Sequence, residues 1–262
     1  MRATALRTPL TVAAGICFFS QFVSPVNWTP AVRHMPRPIV QWAPRHPRIA
    51  LTFDDGPHPK MTERLLNLLA AEHVPATFFV VGKMADRYPY LVQEIAAGGH
   101  EVSNHSYTHP RFAHLSPQDA LNELSRTRNV IRRLTGKDTP YYRPPGGRYS
   151  PAVARAASHA GYRMVLWSTL TKDVEGASPA LIERRVLNGA QDGGIVLMHS
   201  GLANTLQALP DVIASLRAQG YEFVTVSTLL TPNAGVAPHA TPTEPRAIAH
   251  APIAPVNAPR PD

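Results

Sequence analysis

Five short stretches of this chain carry residues whose types and spacing could do chemistry. Asp54 and Asp55 are adjacent carboxylates just ahead of Gly56-Pro57. Neighbouring residues on a strand face opposite ways, so the two need not share one job. Gly-Pro ends the strand and sets a turn. His105-Ser106-Tyr107-Thr108-His109 spaces two imidazoles i,i+4. On a helical turn that spacing puts both rings on one side, as a divalent metal needs. Ser106 stands where the zinc-protease helix requires Glu, so that motif is excluded. Adding one carboxylate makes a His2Asp set, with three protein ligands and room for water. That is the layout of a catalytic site rather than a closed structural one, and it suits zinc or another divalent ion such as cobalt. Arg143-Pro144-Pro145-Gly146 presents a cation in a stiff turn, able to hold a carboxylate through two parallel hydrogen bonds. Leu197-Met198-His199 ends an apolar run with a titratable ring, and Asp173 is a candidate partner to fix its tautomer and raise its pKa. Taken singly, each stretch has a plainer reading: a polar turn, surface histidines, a proline turn, a structural histidine. The other nine histidines, His100 and His114 among them, receive no role.

The elements that must position these residues follow from periodicity and turn signals. Strand-like runs fall at 48–53, 77–81, 101–103, 140–142, 163–167, 194–198 and 222–226. Helical patterns lie between them. One has its apolar face at Leu65, Leu66, Leu68 and Leu69, another runs over 91–97, and a third over 205–219. Ser116-Pro117, Ser150-Pro151 and Ser178-Pro179 each pair a Ser N-cap with Pro at the first helical position. Regular alternation of strand and helix predicts parallel strands. An open doubly wound sheet and a barrel of fewer than eight units both fit. In either, polar chemistry collects beyond the carboxyl ends of the strands. Asp54 and Asp55, His105 and His109, Arg143, Asp173 and His199 follow five different strands at that rim.

The chain has 262 residues, with 44% hydrophobic, 17% charged and one cysteine. This excludes a disordered polyelectrolyte and a disulfide-stapled miniprotein. The net charge is +8, but its placement matters more than its size. Residues 1–47 hold Arg2, Arg7, Arg33, Arg37 and Arg45 and no acid. Residues 1–26 pair Arg2 and Arg7 with the apolar run Leu10–Val23, the pattern of an export signal or a retained N-terminal membrane anchor. Residues 27–47 read as a Pro-rich linker and 231–262 as a Pro/Ala-rich disordered tail. That leaves 48–230 as one domain. The basic run Arg126–Arg133 has no interleaved aromatics, reads as a solvated face, and makes nucleic acid an unexpected partner.

Taken together, IALTFDDGPHP, ATFFVVG, GHEVSNHSYTHP, RPPG and IVLMHS resemble the polysaccharide deacetylase family, carbohydrate esterase family 4, with its NodB homology domain. The matches run in the family's order across 48–230. The resemblance implies a distorted (β/α)7 barrel and a metal-dependent amidase acting on N-acetylated glycans. It implies Asp54 as general base, Asp55, His105 and His109 as metal ligands, and zinc as the metal, other divalent ions such as cobalt also serving. It implies Arg143 as the residue orienting Asp54, and His199, tuned by Asp173, as general acid. A backbone N–H near Gly146 would meet the oxyanion. Acetate and a glucosamine unit would leave.

Two departures bear on substrate. Gly146 stands where many members have Tyr, and Val174 follows Asp173 where many have Trp. The sugar-facing apolar wall that the resemblance implies is thinner for it, and Trp167 is a candidate to supply part of that wall. An exported protein working in the periplasm, the cell envelope or outside the cell fits the N-terminal segment, with peptidoglycan, a chitooligosaccharide or another amino-sugar polymer as substrate. An O-deacetylase and a catalytically silent envelope glycan-binding protein are the alternatives. Nothing in the sequence bears on oligomeric state.

Overall fold

Eight parallel strands wrapped by helices make a half-barrel in the structure, a computed structural model that describes residues 47–231. The signal or anchor at 1–26, the linker at 27–47 and the tail at 231–262 lie outside the described residues, apart from Pro47 and Thr231. In chain order the elements begin with β1 (Arg48–Asp54), α1 (Met61–Ala71), β2 (Thr77–Val80), α2 (Gly82–Arg87), α3 (Pro89–Ala97) and β3 (Glu101–Asn104). Next come α4 (Pro117–Thr135), β4 (Tyr141–Tyr142), α5 (Pro151–His159), β5 (Arg163–Met164), β6 (Thr169–Leu170) and α6 (Pro179–Gly189). The last are β7 (Gly194–His199), α7 (Ala203–Ala218), β8 (Glu222–Phe223) and α8 (Val226–Leu230). The sheet runs β5-β4-β3-β2-β1-β7-β6. The start of β1 pairs with β8 through Arg48 and Ile49, and its end with β2 through Thr52 and Phe53.

Local rules account for much of this. Ser116, Ser150 and Ser178 each accept a hydrogen bond from the backbone N–H three residues on, with Pro at the head of the helix, as the Ser-Pro pairs predict. The strand expected at 163–167 ends early, at Met164, and a separate strand forms beyond it at Thr169–Leu170. Val165 N donates to Tyr142 O, and Ser168 N donates to Ile195 O. The chain therefore leaves one edge of the sheet and joins the other, so β6 is a strand of its own. The strand expected at 222–226 stops at Phe223 because Thr225 accepts from Thr228 N and starts α8. α2, one and a half turns long, carries too little apolar periodicity to be read.

The central strand β1 is buried along nearly its whole length, as a parallel strand covered on both faces must be. Its alternation sorts the core. Ile49, Leu51 and Phe53 pack outward with Phe78, Val80, Val196 and Met198 against the helices. Ala50 faces inward with Phe79, Val165, Ile195 and the plug made by Val224, Val226, Leu229 and Leu230. The same alternation turns Thr52 and Asp54 inward. Among the described residues no helix is long and apolar enough to cross a membrane.

Candidate active site

The first half of the site is built where β1 ends. Asp54 faces into the half-barrel and is 3% exposed. Asp55 has left the strand, with φ 69°, and points to a different place, as two adjacent carboxylates with different surroundings must. The turn is tight. A Cβ on Gly56 would lie 2.5 Å from Ser200 Oγ, and Ser200 in turn donates its N–H and hydroxyl to Asp54 O.

His105 and His109 reach Asp55 from the loop after β3. His105 Nε2 lies 3.3 Å and His109 Nε2 3.1 Å from Asp55 Oδ1, and the ring centroids are 5.0 Å apart. The loop is not the helical turn expected from the spacing. Ser106 and His109 sit at φ 65° and 62°, and these two left-handed residues turn the chain back so that the rings converge. His105 Nδ1 lies 2.8 Å from Arg143 O. A carbonyl only accepts, so Nδ1 holds the proton and Nε2 offers its lone pair. Asp55 Oδ1 is buried yet has no hydrogen-bond donor. One ligand atom from each of Asp55, His105 and His109 lies within 4.8 Å of the others. An orphaned carboxylate oxygen facing two imidazole nitrogens fits a divalent ion.

The second half rests on Arg143, which is fully buried. Nη1 donates to Asp54 Oδ1 at 2.7 Å and to Thr52 Oγ1 at 2.8 Å. Nε donates to Val165 O and Nη2 to Leu166 O, the carbonyls of the segment that crosses between the sheet edges. Its guanidinium also lies 4.1 Å from the Phe79 ring centroid. One residue therefore fixes Asp54 by its side chain, His105 by its carbonyl, and the gap between β5 and β6. Opposite, His199 ends β7 in register with Asp54. His199 Nδ1 is 2.8 Å from Asp173 Oδ1, and His199 N donates to Asp173 Oδ2 at 2.8 Å. Burial lowers the His199 pKa, but Asp173 first, together with Asp54 and Asp55, outweighs it and raises the pKa above the ordinary value. Burial likewise pushes Asp173 up, and its donors pull it below the usual carboxylate range.

A cavity of about 210 Å³ joins these halves, lined by Asp54, Asp55, His105, His109, Gly146, Trp167, Val174, Leu197 and His199. Every site residue expected from sequence is therefore at this cavity or bonded to a residue that lines it. Others went unread. Thr205 Oγ1 donates to Asp173 Oδ2 at 2.7 Å, and Asn204 Nδ2 donates to Asp173 O and Ala177 O. They sit on α7, which no spacing rule connects to Asp173. His58 packs its ring where a Cβ on Gly201 would fall, 2.7 Å away, and burial lowers its pKa against the pull of Asp55. The basic run on α4 is not merely solvated. Arg126 lies 3.7 Å from the Tyr107 ring centroid, Arg128 pairs with Asp138, and Arg133 pairs with Asp86.

A parallel half-barrel with carboxylates and imidazoles gathered at the carboxyl ends of its strands defines the class, and comparison with known proteins defines the family. The polysaccharide deacetylase family model matches residues 43–165. The peptidoglycan-N-acetylglucosamine deacetylase of Bacillus cereus is 38% identical over 70% of this chain and 87% of its own length. The peptidoglycan-N-acetylglucosamine deacetylase PgdA of Listeria monocytogenes is 38% identical over 73% of this chain, which spans 41% of that longer protein. The crystal structure of a peptidoglycan N-acetylglucosamine deacetylase in complex with 4-naphthalen-1-yl-N-oxidanyl-benzamide superposes with a TM-score of 0.71 at 32% identity, covering 73% of this chain and 91% of that one. The chain belongs to the polysaccharide deacetylase family, carbohydrate esterase family 4, and its half-barrel is that family's (β/α)7 fold.

Proposed function

We propose that this protein removes N-acetyl groups from a GlcNAc-containing glycan by metal-dependent hydrolysis, with peptidoglycan as the first substrate to test and chitooligosaccharide the second. The observation that carries the reading is the shared cavity. It brings the Asp55/His105/His109 donor set, the Asp54–Arg143 pair and the His199–Asp173 pair to one place. Relatives with 38% identity that bear the name peptidoglycan-N-acetylglucosamine deacetylase support the substrate. The Arg-flanked apolar segment near the N-terminus supports an exported, envelope-facing protein.

Asp55, His105 and His109 would hold the divalent ion, with zinc the metal that best suits two imidazoles and one carboxylate. When bound there, such an ion acidifies water and polarises a carbonyl. Asp54 takes the proton from the attacking water. Arg143 keeps the Asp54 carboxylate turned toward the cavity. A backbone N–H at Gly146 donates to the oxygen that gains charge. His199, protonated and held by Asp173 through Nδ1, gives the Nε2 proton to the departing sugar amine. The C–N bond breaks, and acetate and the free amine leave. Trp167, Val174 and Leu197 supply the apolar part of the cavity lining.

The test is acetate release from N-acetylated glycans by the zinc-loaded full chain, scored by mass spectrometry as acetyl replaced by hydrogen. Chelator should abolish it, and zinc should restore it. Asp54→Asn and His105→Ala should each remove release. If either variant retains full release, the assignment is wrong. Faster loss of O-acetyl than of N-acetyl groups would move the protein to the O-deacetylase reading. Glycan binding without turnover under every metal tried would make it a silent binding protein.

A further inference from the structure

Two of the three residues in the donor set lie on the loop 105–109, and that loop is not one the chain would adopt unaided. Ser106 and His109 are both non-glycine residues in the left-handed region, a conformation such residues hold only where the surrounding structure imposes it. The loop's polar backbone groups are engaged from three directions. Ser106 N donates to Asn104 Oδ1. Ser106 O and Tyr107 O accept from Gly82 N and Lys83 N at the start of α2. Tyr107 N and Thr108 N both donate to one oxygen of Glu123, at 2.8 and 2.6 Å, and the Thr108 hydroxyl donates to its other oxygen at 2.9 Å. Glu123 lies on α4, outside the site. Among the described residues it is the acidic side chain that takes the amide hydrogens of the segment between the two histidines. Bonds to a carboxylate are stronger than those to a neutral acceptor, and three on one side chain fix both its place and theirs.

We infer that Glu123 is a positioning residue for the metal site: it holds the Tyr107–Thr108 backbone so that His105 and His109 converge on Asp55. This rests on the metal reading above, and it makes a separate claim about the residue that sets the loop. A simpler account has Glu123 merely securing α4. The packing argues against that. α4 is held by Leu124, Val130 and Ile131, all buried, and by Asn104 Nδ2 donating to Leu124 O at 2.8 Å. None of these needs the Glu123 carboxylate. The outer contacts of the loop, Arg126 over the Tyr107 ring and Tyr107 OH donating to Asp86, act on a side chain and leave the ligand backbone free to shift.

The experiment uses the full chain, zinc alone as probe, and competition with a coloured chelator to measure affinity. Glu123→Ala should bind zinc about 10- to 100-fold more weakly than wild type, the range for partners that orient ligands. Glu123→Gln, which keeps one acceptor oxygen and loses the charge, should fall between the two. In the metal-free variants, amide exchange at Tyr107 and Thr108 should speed up while the buried α4 amides stay protected. Zinc affinity within about twofold of wild type in both variants would overturn the inference. So would unchanged exchange at the two amides. If Glu123→Ala does not fold, Glu123→Gln decides by the same two measurements. Failure of the wild-type chain to bind zinc would bring down the metal reading itself, whereas equal binding by wild type and variants would bring down the Glu123 inference alone.

Discussion

Acidification should destabilise this fold through His100, a histidine that has no part in the site. The ring closes the turn between α3 and β3 and is 6% exposed. Its Nδ1 accepts the N–H of Ala76 at 3.2 Å, and its edge meets Phe78 with centroids 5.5 Å apart. A nitrogen that accepts cannot also carry a proton, so the folded state needs the neutral ring. Burial accordingly lowers the pKa from 6.5 to about 4. The unfolded chain takes up a proton near 6.5 that the folded chain refuses until about 4. Stability from this group is therefore complete above the unfolded value and is lost as the pH falls toward the folded one. Linkage makes the loss about 2 kcal/mol at about pH 5 and about 3 kcal/mol at about pH 4. The perturbation is His100→Asn, whose side-chain oxygen can accept the same N–H without titrating. Urea unfolding of both proteins with chelator present removes metal linkage, and comparison with wild type cancels the other titrating groups. The variant should be less stable near neutrality, for want of the ring, and should overtake or match wild type near pH 4. A stability gap that stays constant between those conditions would refute the reasoning.

Replacing Arg143 by Met should cost about 3–5 kcal/mol, read from urea unfolding, because it strands the buried Asp54 carboxylate and frees two carbonyls. Arg143→Lys should fold better but lose most activity, since one ammonium cannot serve four separated acceptors. Asp173→Asn should lower kcat by roughly 10²–10⁴-fold with little change in KM, the scale seen when a catalytic histidine loses its tautomer partner. Because Asp173 makes the largest raising contribution to the His199 pKa, ahead of Asp54 and Asp55, and the proposed acid works only below that pKa, the alkaline limb of the variant's pH–rate profile should move to lower pH. Gly147→Ala should destabilise by about 1–3 kcal/mol and shift the tryptophan fluorescence. Gly147 sits at φ 68°, and its new Cβ would lie 2.6 Å from Trp167 Cη2. Unaltered fluorescence and stability would show that the contact is not tight.

Residue type and spacing alone determined the chemical parts of this protein. Adjacent carboxylates before Gly-Pro, two histidines four apart, an Arg before Pro-Pro and a histidine ending an apolar run are local patterns. So are the three Ser-Pro helix starts and the alternation that turns Asp54 inward, because caps and pleats depend only on neighbours along the chain. The tertiary structure decided what these parts face. The histidine pair is no helical turn. Its backbone is held by hydrogen bonds from Gly82 and Lys83 of α2 and to Glu123 of α4, contacts that no spacing within the loop encodes. The run 163–167 looked like one strand because its composition suits a strand throughout, yet it crosses between two sheet edges whose positions depend on every other strand. Arg143 was legible as a cation that could hold a carboxylate. Its bonds to Thr52, Val165 and Leu166 join segments up to 91 residues apart, and no pattern along the chain encodes a distance in space. His100 was invisible as a pH-sensitive group for the same reason. Its pKa is set by burial, and burial is a property of the assembled fold.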